Sequence, residues 1–173
     1  MIKLEALAGH HDRNGFDCGT PELNAWLKQT ALQHQVKGVS RTFVATPLDQ
    51  AAVQSYVQSG YLGFHVNSIL GYYALASAFV LLEQLPKELA KKYPRQIPVT
   101  RLGRLATRSD LQGQGLGALL LADAVSRARN AALAVGSAGI FVDAKNEDAA
   151  RFYERYGFRP CADQVLKLYL SMW

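Results

Sequence analysis

The chain has little cysteine and no long hydrophobic run. Its two cysteines among 173 residues, Cys18 and Cys161, are too few for a disulfide framework or a cysteine-rich metal site. We expect both to be buried, reduced thiols. No apolar stretch reaches the ~18 residues that cross a bilayer. Met1 to Glu5 lack the basic and then apolar order of a secretion signal, so we expect a cytoplasmic protein with no membrane partner.

What the chain does contain is enough apolar sequence for one core. Hydrophobic residues make up 49% of it and charged residues 19%, which is typical of a globular domain. At this length one sizeable core is expected rather than two. We therefore predict a single domain over residues 1–173, with a possible insertion at 47–68.

The positive charge is concentrated in one stretch. The whole chain has a net charge of +5, whereas residues 86–108 alone carry +6. A basic surface attracts phosphate groups, although these cations also fit an ordinary solvated helix face and strand edges. The cations of this stretch are Lys87, Lys91, Lys92, Arg95, Arg101, Arg104 and Arg108.

Hydrophobic periodicity predicts an α/β fold. Thr20 and Pro21 begin a helix that should run to about Val36 and end at Gly38, and Pro86 begins a short basic helix to about Tyr93. Asp123, Arg127 and Asn130 mark the wet side of a long helix. Strands are predicted at 2–7, 40–46, 69–80, 99–107, 139–144 and 165–170, and further helices at 116–135 and after Asn146; a helix and loop are expected within 47–68.

A glycine-rich turn joins one predicted strand to the long helix. The turn Gln112-Gly113-Gln114-Gly115-Leu116-Gly117 follows the strand at 99–107. Free N–H groups and the positive helix end favour an anion there, above all a diphosphate. The turn lacks the Gly-Lys-Ser/Thr ending of a P-loop and the spacing of a dinucleotide fingerprint. A purely structural glycine turn is the alternative.

Two motifs in the right order resemble the GCN5-related N-acetyltransferase (GNAT) superfamily. Gln112, Gly115 and Gly117 match its Gln/Arg-x-x-Gly-x-Gly/Ala diphosphate motif. About 30 residues later, Asn146 is followed by Phe152-Tyr153-Glu154 and Gly157-Phe158, which match its second signature. The resemblance implies a mixed, mostly antiparallel sheet flanked by helices, acetyl-coenzyme A (acetyl-CoA) as co-substrate, and no metal.

The resemblance also implies a role for each matching residue. Main-chain amides of the turn would bind the diphosphate, the main chain of 105–107 would pair with the pantetheine arm, and Asn146 would contact that arm. Tyr153 would protonate the departing thiolate, since a phenol is a competent proton donor; packing as a core aromatic is the alternative. The implied cofactor-binding residues are Leu105, Ala106, Thr107, Gln112, Gly113, Gln114, Gly115, Leu116, Gly117 and Asn146.

No general base stands out in the sequence. His10, His11, His34 and His65 are scattered over loop and helix, and each fits a surface or packing role better than a catalytic one. A free α-amine, with a pKa of about 7.7 to 8.0, has an appreciable neutral fraction at pH 7, whereas a lysine at about 10.4 has almost none. The acceptor is therefore expected to be an α-amine.

Longer matches resemble the acetyltransferase toxins of type II toxin–antitoxin pairs, the TacT-like or AtaT-like branch. That branch implies an aminoacyl-tRNA acceptor whose acetylation blocks translation, a ribbon-helix-helix antitoxin and a homodimer. Its RNA-binding cations would fall on Lys28, Lys91 and Lys92, with Arg95 beside them. Residues 47–68 depart from the short hairpin of the branch. The matching words are Phe16-Asp17-Cys18-Gly19, Glu22-Leu23-Asn24, Trp26-Leu27, Ser40-Arg41-Thr42-Phe43-Val44, Gly71-Tyr72-Tyr73-Ala74-Leu75-Ala76, Ile97-Pro98-Val99 and Leu102-Gly103-Arg104-Leu105-Ala106.

Two other functions remain open at the level of sequence. One is a general GNAT acetyltransferase of a small amine, peptide or protein amine, with the basic stretch serving an acidic substrate. The other is a binding module that keeps the fold without turnover. Binding of acetyl-CoA separates the second from the rest.

Overall fold

The computed structural model describes residues Met1–Trp173 and has the predicted α/β architecture. No helix is both long enough and apolar enough to span a bilayer. The strands are β1 (Ile2–Ala6), β2 (Arg41–Pro47), β3 (Gly71–Leu81), β4 (Gln96–Thr107), β5 (Gly139–Asp143), β6 (Arg159–Cys161) and β7 (Gln164–Ser171). The helices are α1 (Pro21–Gln29), α2 (Ala31–Val36), α3 (Gln50–Gln58), α4 (Lys87–Ala90), α5 (Leu116–Ala134) and α6 (Glu147–Arg155).

The seven strands form one mixed sheet in the order β1-β2-β3-β4-β5-β7-β6. The pairs β1–β2, β5–β7 and β6–β7 are antiparallel. Strands β4 and β5 are parallel, with Thr100 opposite Ile140 and Leu102 opposite Val142. The predicted mixed, mostly antiparallel sheet flanked by helices is therefore confirmed.

The chain divides into two compact units, of which the first comprises Met1–Ala74 and Arg104–Ala124. Tyr72 lies at the centre of its core, fully buried, with its hydroxyl donating to the Leu23 carbonyl at 2.7 Å. The Tyr72 ring lies edge-on to Phe16 and stacks on Trp26. These contacts fix α1 against β3 and bury the apolar face that the sequence pattern predicts.

Gly71 allows α5 to lie close to the sheet in the first unit. A Cβ at Gly71 would come within 2.9 Å of the Leu120 side chain and 3.0 Å of the Ala106 carbonyl oxygen. In a close-packed interior, such a Cβ would force the Leu120 side chain and the Ala106 carbonyl to shift. Gly71 therefore determines how closely α5 packs against the sheet.

The second unit comprises Leu75–Gly103 and Val125–Trp173 and has its own core. Tyr169 and Ile97 are fully buried there, and Phe141 packs with them. Gly139 faces Leu170 and Tyr169 so closely that a Cβ would lie 2.4 Å from the Leu170 oxygen. Strands β5 and β7 can thus pair at this point only with glycine in place.

Several predicted boundaries are wrong. The single helix to Val36 is interrupted at Thr30, which adopts φ −123° and separates α1 from α2. Helix α4 ends at Ala90 rather than near Tyr93, and β6 was not predicted. Asp123 is not simply on the wet side of α5, because the buried Tyr73 donates to its carboxylate at 2.5 Å. In each case a tertiary contact or a local backbone break overrides periodicity.

The predicted helix and loop within 47–68 are present. Asp49 caps α3, its carboxylate accepting from the Ala52 amide at 2.8 Å. Three aromatic residues of this stretch then meet: Tyr56, Tyr61 and Phe64, here called the aromatic cluster, with ring centroids 5.1 to 5.9 Å apart. A small local core therefore organises the stretch between β2 and β3.

Candidate active site

The glycine turn, Gln112–Gly117, connects β4 to α5 in the first unit. Gly113 and Gly115 have φ of +80° and +85°, a region that side chains disfavour and glycine adopts readily. A Cβ at either position would meet no protein atom within 4 Å. The two glycines are therefore required by backbone conformation, and the turn faces open space.

The main-chain amides of this turn are available to a ligand. None of the main-chain N–H groups from Gln112 to Gly117 donates a hydrogen bond within the protein. The first amides of a helix lack intrahelical acceptors, and the helix dipole adds partial positive charge at the same point. The geometry suits an anion with several oxygens, as the sequence predicts.

Side chains before and within the turn hold it in place. The side-chain amide of Gln112 donates to the carbonyls of Cys18 at 3.2 Å and Thr107 at 3.5 Å. Arg108 makes two hydrogen bonds of 3.0 Å to Asp110, and its main-chain amide donates to Leu70 at 2.9 Å. The end of β4, at Thr107, is thereby connected to the first residue of the turn by a side-chain hydrogen bond.

The aromatic cluster contacts the glycine turn, a feature that sequence reasoning missed. The side-chain amide of Gln114 donates to the Tyr61 hydroxyl at 2.6 Å. The Arg108 guanidinium lies 4.4 Å from the centre of the Phe64 ring. The only sequence signal was the unusual aromatic content of 47–68. Residues 53 positions apart gave no pattern that linked them.

The other two predicted site residues lie on α6 in the second unit. Asn146 caps the helix, with its side-chain oxygen accepting from the Ala149 amide at 2.9 Å. The residue is exposed, and the bond leaves its NH₂ group for another partner. Glu147 and Asp148 lie in the first turn, where acidic residues stabilise a helix, and Gly157 ends it with φ +94°.

Tyr153 is buried, and aromatic contacts fix its ring. Its exposed fraction is 6%, and it packs edge-on against Phe152 and at an angle against Phe158. Burial raises the pKa of the Tyr153 phenol well above its usual value, because a phenolate would lose its hydration. The phenol therefore stays protonated throughout the neutral range and can act only as a proton donor or as packing.

The predicted RNA-binding cations are exposed, whereas others of the basic stretch are engaged. Lys91, Lys92 and Arg95 are exposed. Arg101 pairs with Asp143 at 2.5 Å, and Arg104 lies 4.1 Å from the centre of the Trp26 ring. The basic stretch therefore offers a phosphate only part of its charge.

Lys28 lies in a groove beside α1 and α2 with a volume of about 410 Å³. Arg13 and Lys37 also line this helix groove, and no acidic residue does. Arg13 is held in place by a hydrogen bond from its guanidinium to the Lys28 carbonyl at 3.2 Å. The groove is thus positively charged around an apolar floor that includes Leu32.

The histidines and cysteines have structural partners. His11 is buried, accepts from the Ala8 amide at 2.9 Å through Nδ1, and places Nε2 2.9 Å from Glu5. Glu5, His10 and His11 bring potential metal-ligating atoms near one another. Both ring nitrogens of His11, however, already have partners in the protein. Both cysteines are free and buried, which confirms the prediction for them.

Comparisons with known proteins agree with this fold. The model of the acetyltransferase (GNAT) domain matches residues 41–160. A tRNA-acetylating toxin of Mycobacterium tuberculosis is 33% identical over 161 residues, which cover 93% of this chain and 86% of the toxin.

Two solved structures are similar over almost the whole chain. AtaT complexed with acetyl-methionyl-tRNAfMet has a TM-score of 0.82 and 32% identity, covering 99% of this chain and 95% of AtaT. A tyrosine-to-phenylalanine mutant of AtaT, bound to the C-terminus of the antitoxin AtaR and acetyl-CoA, has a TM-score of 0.76 and 29% identity, covering 98% and 92%.

Proposed function

Because this chain belongs to the acetyltransferase (GNAT) domain family, we propose that it transfers an acetyl group from acetyl-CoA to the α-amino group of aminoacyl-tRNA and so blocks translation as a toxin. The observation that carries the proposal is the set of unpaired main-chain amides from Gln112 to Gly117 at the start of α5. The relatives named as tRNA-acetylating and tRNA-bound support the choice of acceptor.

The residues present fit acetyl-CoA. Several convergent amides and two glycines without a Cβ suit a diphosphate, and the end of β4 at 105–107 provides main chain for the pantetheine arm. The Asn146 NH₂ group would bind the same arm while its oxygen caps α6. Acetyl-CoA supplies the acetyl group as a reactive thioester.

Tyr153 is proposed as the general acid. As the acceptor nitrogen bonds to the acetyl carbon and the carbon–sulfur bond breaks, the phenol gives its proton to the sulfur, and the acetylated nitrogen loses a proton to water. Burial raises the pKa of the phenol, and the same loss of hydration would raise that of a thiolate formed there. The acceptor α-amine enters neutral, because its pKa lies close to the pH of the cell.

Lys28, Lys91, Lys92 and Arg95 are proposed to bind the phosphates of the RNA. All four are exposed, and Lys28 shares the helix groove with Arg13 and Lys37. Cations that neutralise phosphates release counterions and so favour binding. These contacts would position the tRNA without reading its sequence.

The proposal extends to partners and place of action. We propose that residues 1–173 act as one N-acetyltransferase domain, as a homodimer, in the cytoplasm where aminoacyl-tRNA is used. A ribbon-helix-helix antitoxin would neutralise the enzyme; AtaT has been solved with the C-terminus of its antitoxin AtaR, which supports such a partner.

Tyr153→Phe tests the function most directly. We expect the variant to fold and to bind acetyl-CoA, but to lose at least about 100-fold in acetyl transfer, the usual contribution of a general acid. Radiolabelled acetyl-CoA, total charged tRNA and purified protein give the readout, and growth arrest on expression without an antitoxin gives a second.

Tyr156→Phe is the matched control, since Tyr156 lies just past the same helix and is half exposed. It should leave transfer and toxicity unchanged. Full activity of Tyr153→Phe would remove Tyr153 as the acid. Label on a small amine or protein amine but none on tRNA would replace the toxin function with that of a general acetyltransferase.

A further inference from the structure

Residues 47–68 reach the glycine turn through a single polar contact. Gln114 lies between Gly113 and Gly115, the two residues with positive φ. Its side-chain amide donates to the Tyr61 hydroxyl at 2.6 Å. A hydrogen bond from the middle of the turn therefore ends on the aromatic cluster, which lies between β2 and β3.

Tyr61 is itself held firmly. Its ring stacks on Phe64, with centroids 5.5 Å apart and planes 27° apart, and lies edge-on to Tyr56. Its main-chain amide donates to the Tyr56 carbonyl at 3.0 Å, at the end of α3. Phe64 is buried, with 5% exposed. The hydroxyl that Gln114 contacts thus belongs to a fixed support.

The same aromatic cluster also contacts Arg108, which lies four residues before the turn. The Arg108 guanidinium covers the Phe64 ring at 4.4 Å while two of its nitrogens donate to the Asp110 carboxylate. The Arg108 side chain is only 18% exposed. Phe64 and Tyr61 therefore hold the chain on both sides of Gly113.

Resting on the proposed function, we propose that Tyr61 is a positioning residue that orients the glycine turn for the diphosphate of acetyl-CoA. Two glycines separated by one residue leave the turn with much backbone freedom. Ordering such a segment on binding weakens affinity, and prior ordering restores it. Fixing Gln114 from Tyr61 orients the peptide groups that meet the diphosphate.

The test compares a donor that has the diphosphate with one that lacks it. Tyr61→Phe keeps the stacked ring and removes only the hydroxyl. We expect the Kd for acetyl-CoA, measured by isothermal titration, to rise about 5-fold, the effect of one ordinary hydrogen bond. The kcat at saturation, and the kcat/KM for acetyl-pantetheine, should not change.

Two controls isolate the contact. Tyr56→Phe removes a hydroxyl from the same aromatic cluster and should leave the Kd unchanged. In a Gln114→Met background, Tyr61→Phe should have no further effect, since coupled residues are not additive. Thermal melting of each variant shows that it is folded.

Three results would overturn the inference: an unchanged Kd for Tyr61→Phe, an equal loss with acetyl-pantetheine, or an undiminished loss in the Gln114→Met background. These differ from failure of the proposed function, in which the unmodified chain would not bind acetyl-CoA or would not acetylate charged tRNA. Binding and transfer by the unmodified chain are therefore measured first.

Discussion

Burial governs the chemistry of individual side chains in this protein. The pKa of the Tyr153 phenol rises because the anion would lose its hydration, and the pKa of Tyr72 rises for the same main reason. The Tyr72 hydroxyl donates a hydrogen bond to the Leu23 carbonyl, whereas the contacts that hold Tyr153 are ring contacts. Of these two buried phenols, Tyr153 is therefore the one suited to donate its proton to a substrate.

Cys161 provides a direct measure of burial in the second unit. Desolvation, and then the nearby Asp143 charge, raise its pKa from 9.0 to about 11. Because only the thiolate is nucleophilic, alkylation at pH 8 should be about 100-fold slower than for a free thiol. Peptide mass spectrometry after timed exposure to iodoacetamide measures the rate.

Adding denaturant is the control for that rate, and it should bring Cys161 to the speed of a free thiol. Rapid labelling of the native protein would show that the Cys161 thiol is not buried in the native fold.

At the scale of elements, Asn146 at the start of α6 has one observed task and one proposed task. The side-chain oxygen caps the helix, and the proposed function assigns the NH₂ group to the pantetheine arm. An N-cap is worth about 1 kcal/mol. Chemistry allows one task to be removed without the other, because aspartate also caps a helix but has no NH₂ group.

We expect Asn146→Asp to melt like the unmodified protein and to bind acetyl-CoA more weakly. Asn146→Ala should lose both the helix cap and the contact with acetyl-CoA. Its free energy of unfolding should fall by about 1 kcal/mol, and its binding of acetyl-CoA should weaken. Denaturant unfolding and isothermal titration give the two readouts. Unweakened binding by both variants would remove Asn146 from the cofactor site.

Local signals predicted the elements around the site well, and long-range contacts explain what was missed. Asn146, Gly157 and the glycine turn each shape the backbone within a few residues of themselves. Their residue types alone therefore indicated the α6 boundaries and the turn. The break at Thr30 is a local departure of one residue from helical φ, which hydrophobic periodicity does not register. The Gln114–Tyr61 bond spans 53 positions, and no periodicity reports such a pair.

For the whole molecule, the net charge overstates the number of cations that are available to contact RNA phosphates. Arg101 and Arg108 are paired with acids, and Arg104 covers Trp26. Lys91, Lys92 and Arg95 remain exposed on and after the C-terminal end of α4. A few exposed cations therefore make up the proposed phosphate contacts of this stretch.

Reversing two of these charges should weaken RNA binding selectively. For Lys91→Glu with Lys92→Glu, kcat/KM for charged tRNA should fall, and the slope of log affinity against log salt should decrease by about 2. The KM for acetyl-CoA should stay the same. Transfer assays over a salt series provide the measurement.

Arg129→Glu, which reverses an exposed cation on α5, is the matched control and should leave tRNA kinetics as they are. An equal effect of both changes would assign the loss to overall charge rather than to a binding surface.

Gly71 has a consequence for how this gene can vary. Every single-base change in a glycine codon that alters the product yields either a stop or a residue with a Cβ, and here that atom would displace the Leu120 side chain and press on the Ala106 carbonyl. Every missense change at this codon therefore carries a packing cost. Alleles altered there should be recovered among survivors when cells are selected for escape from the toxin.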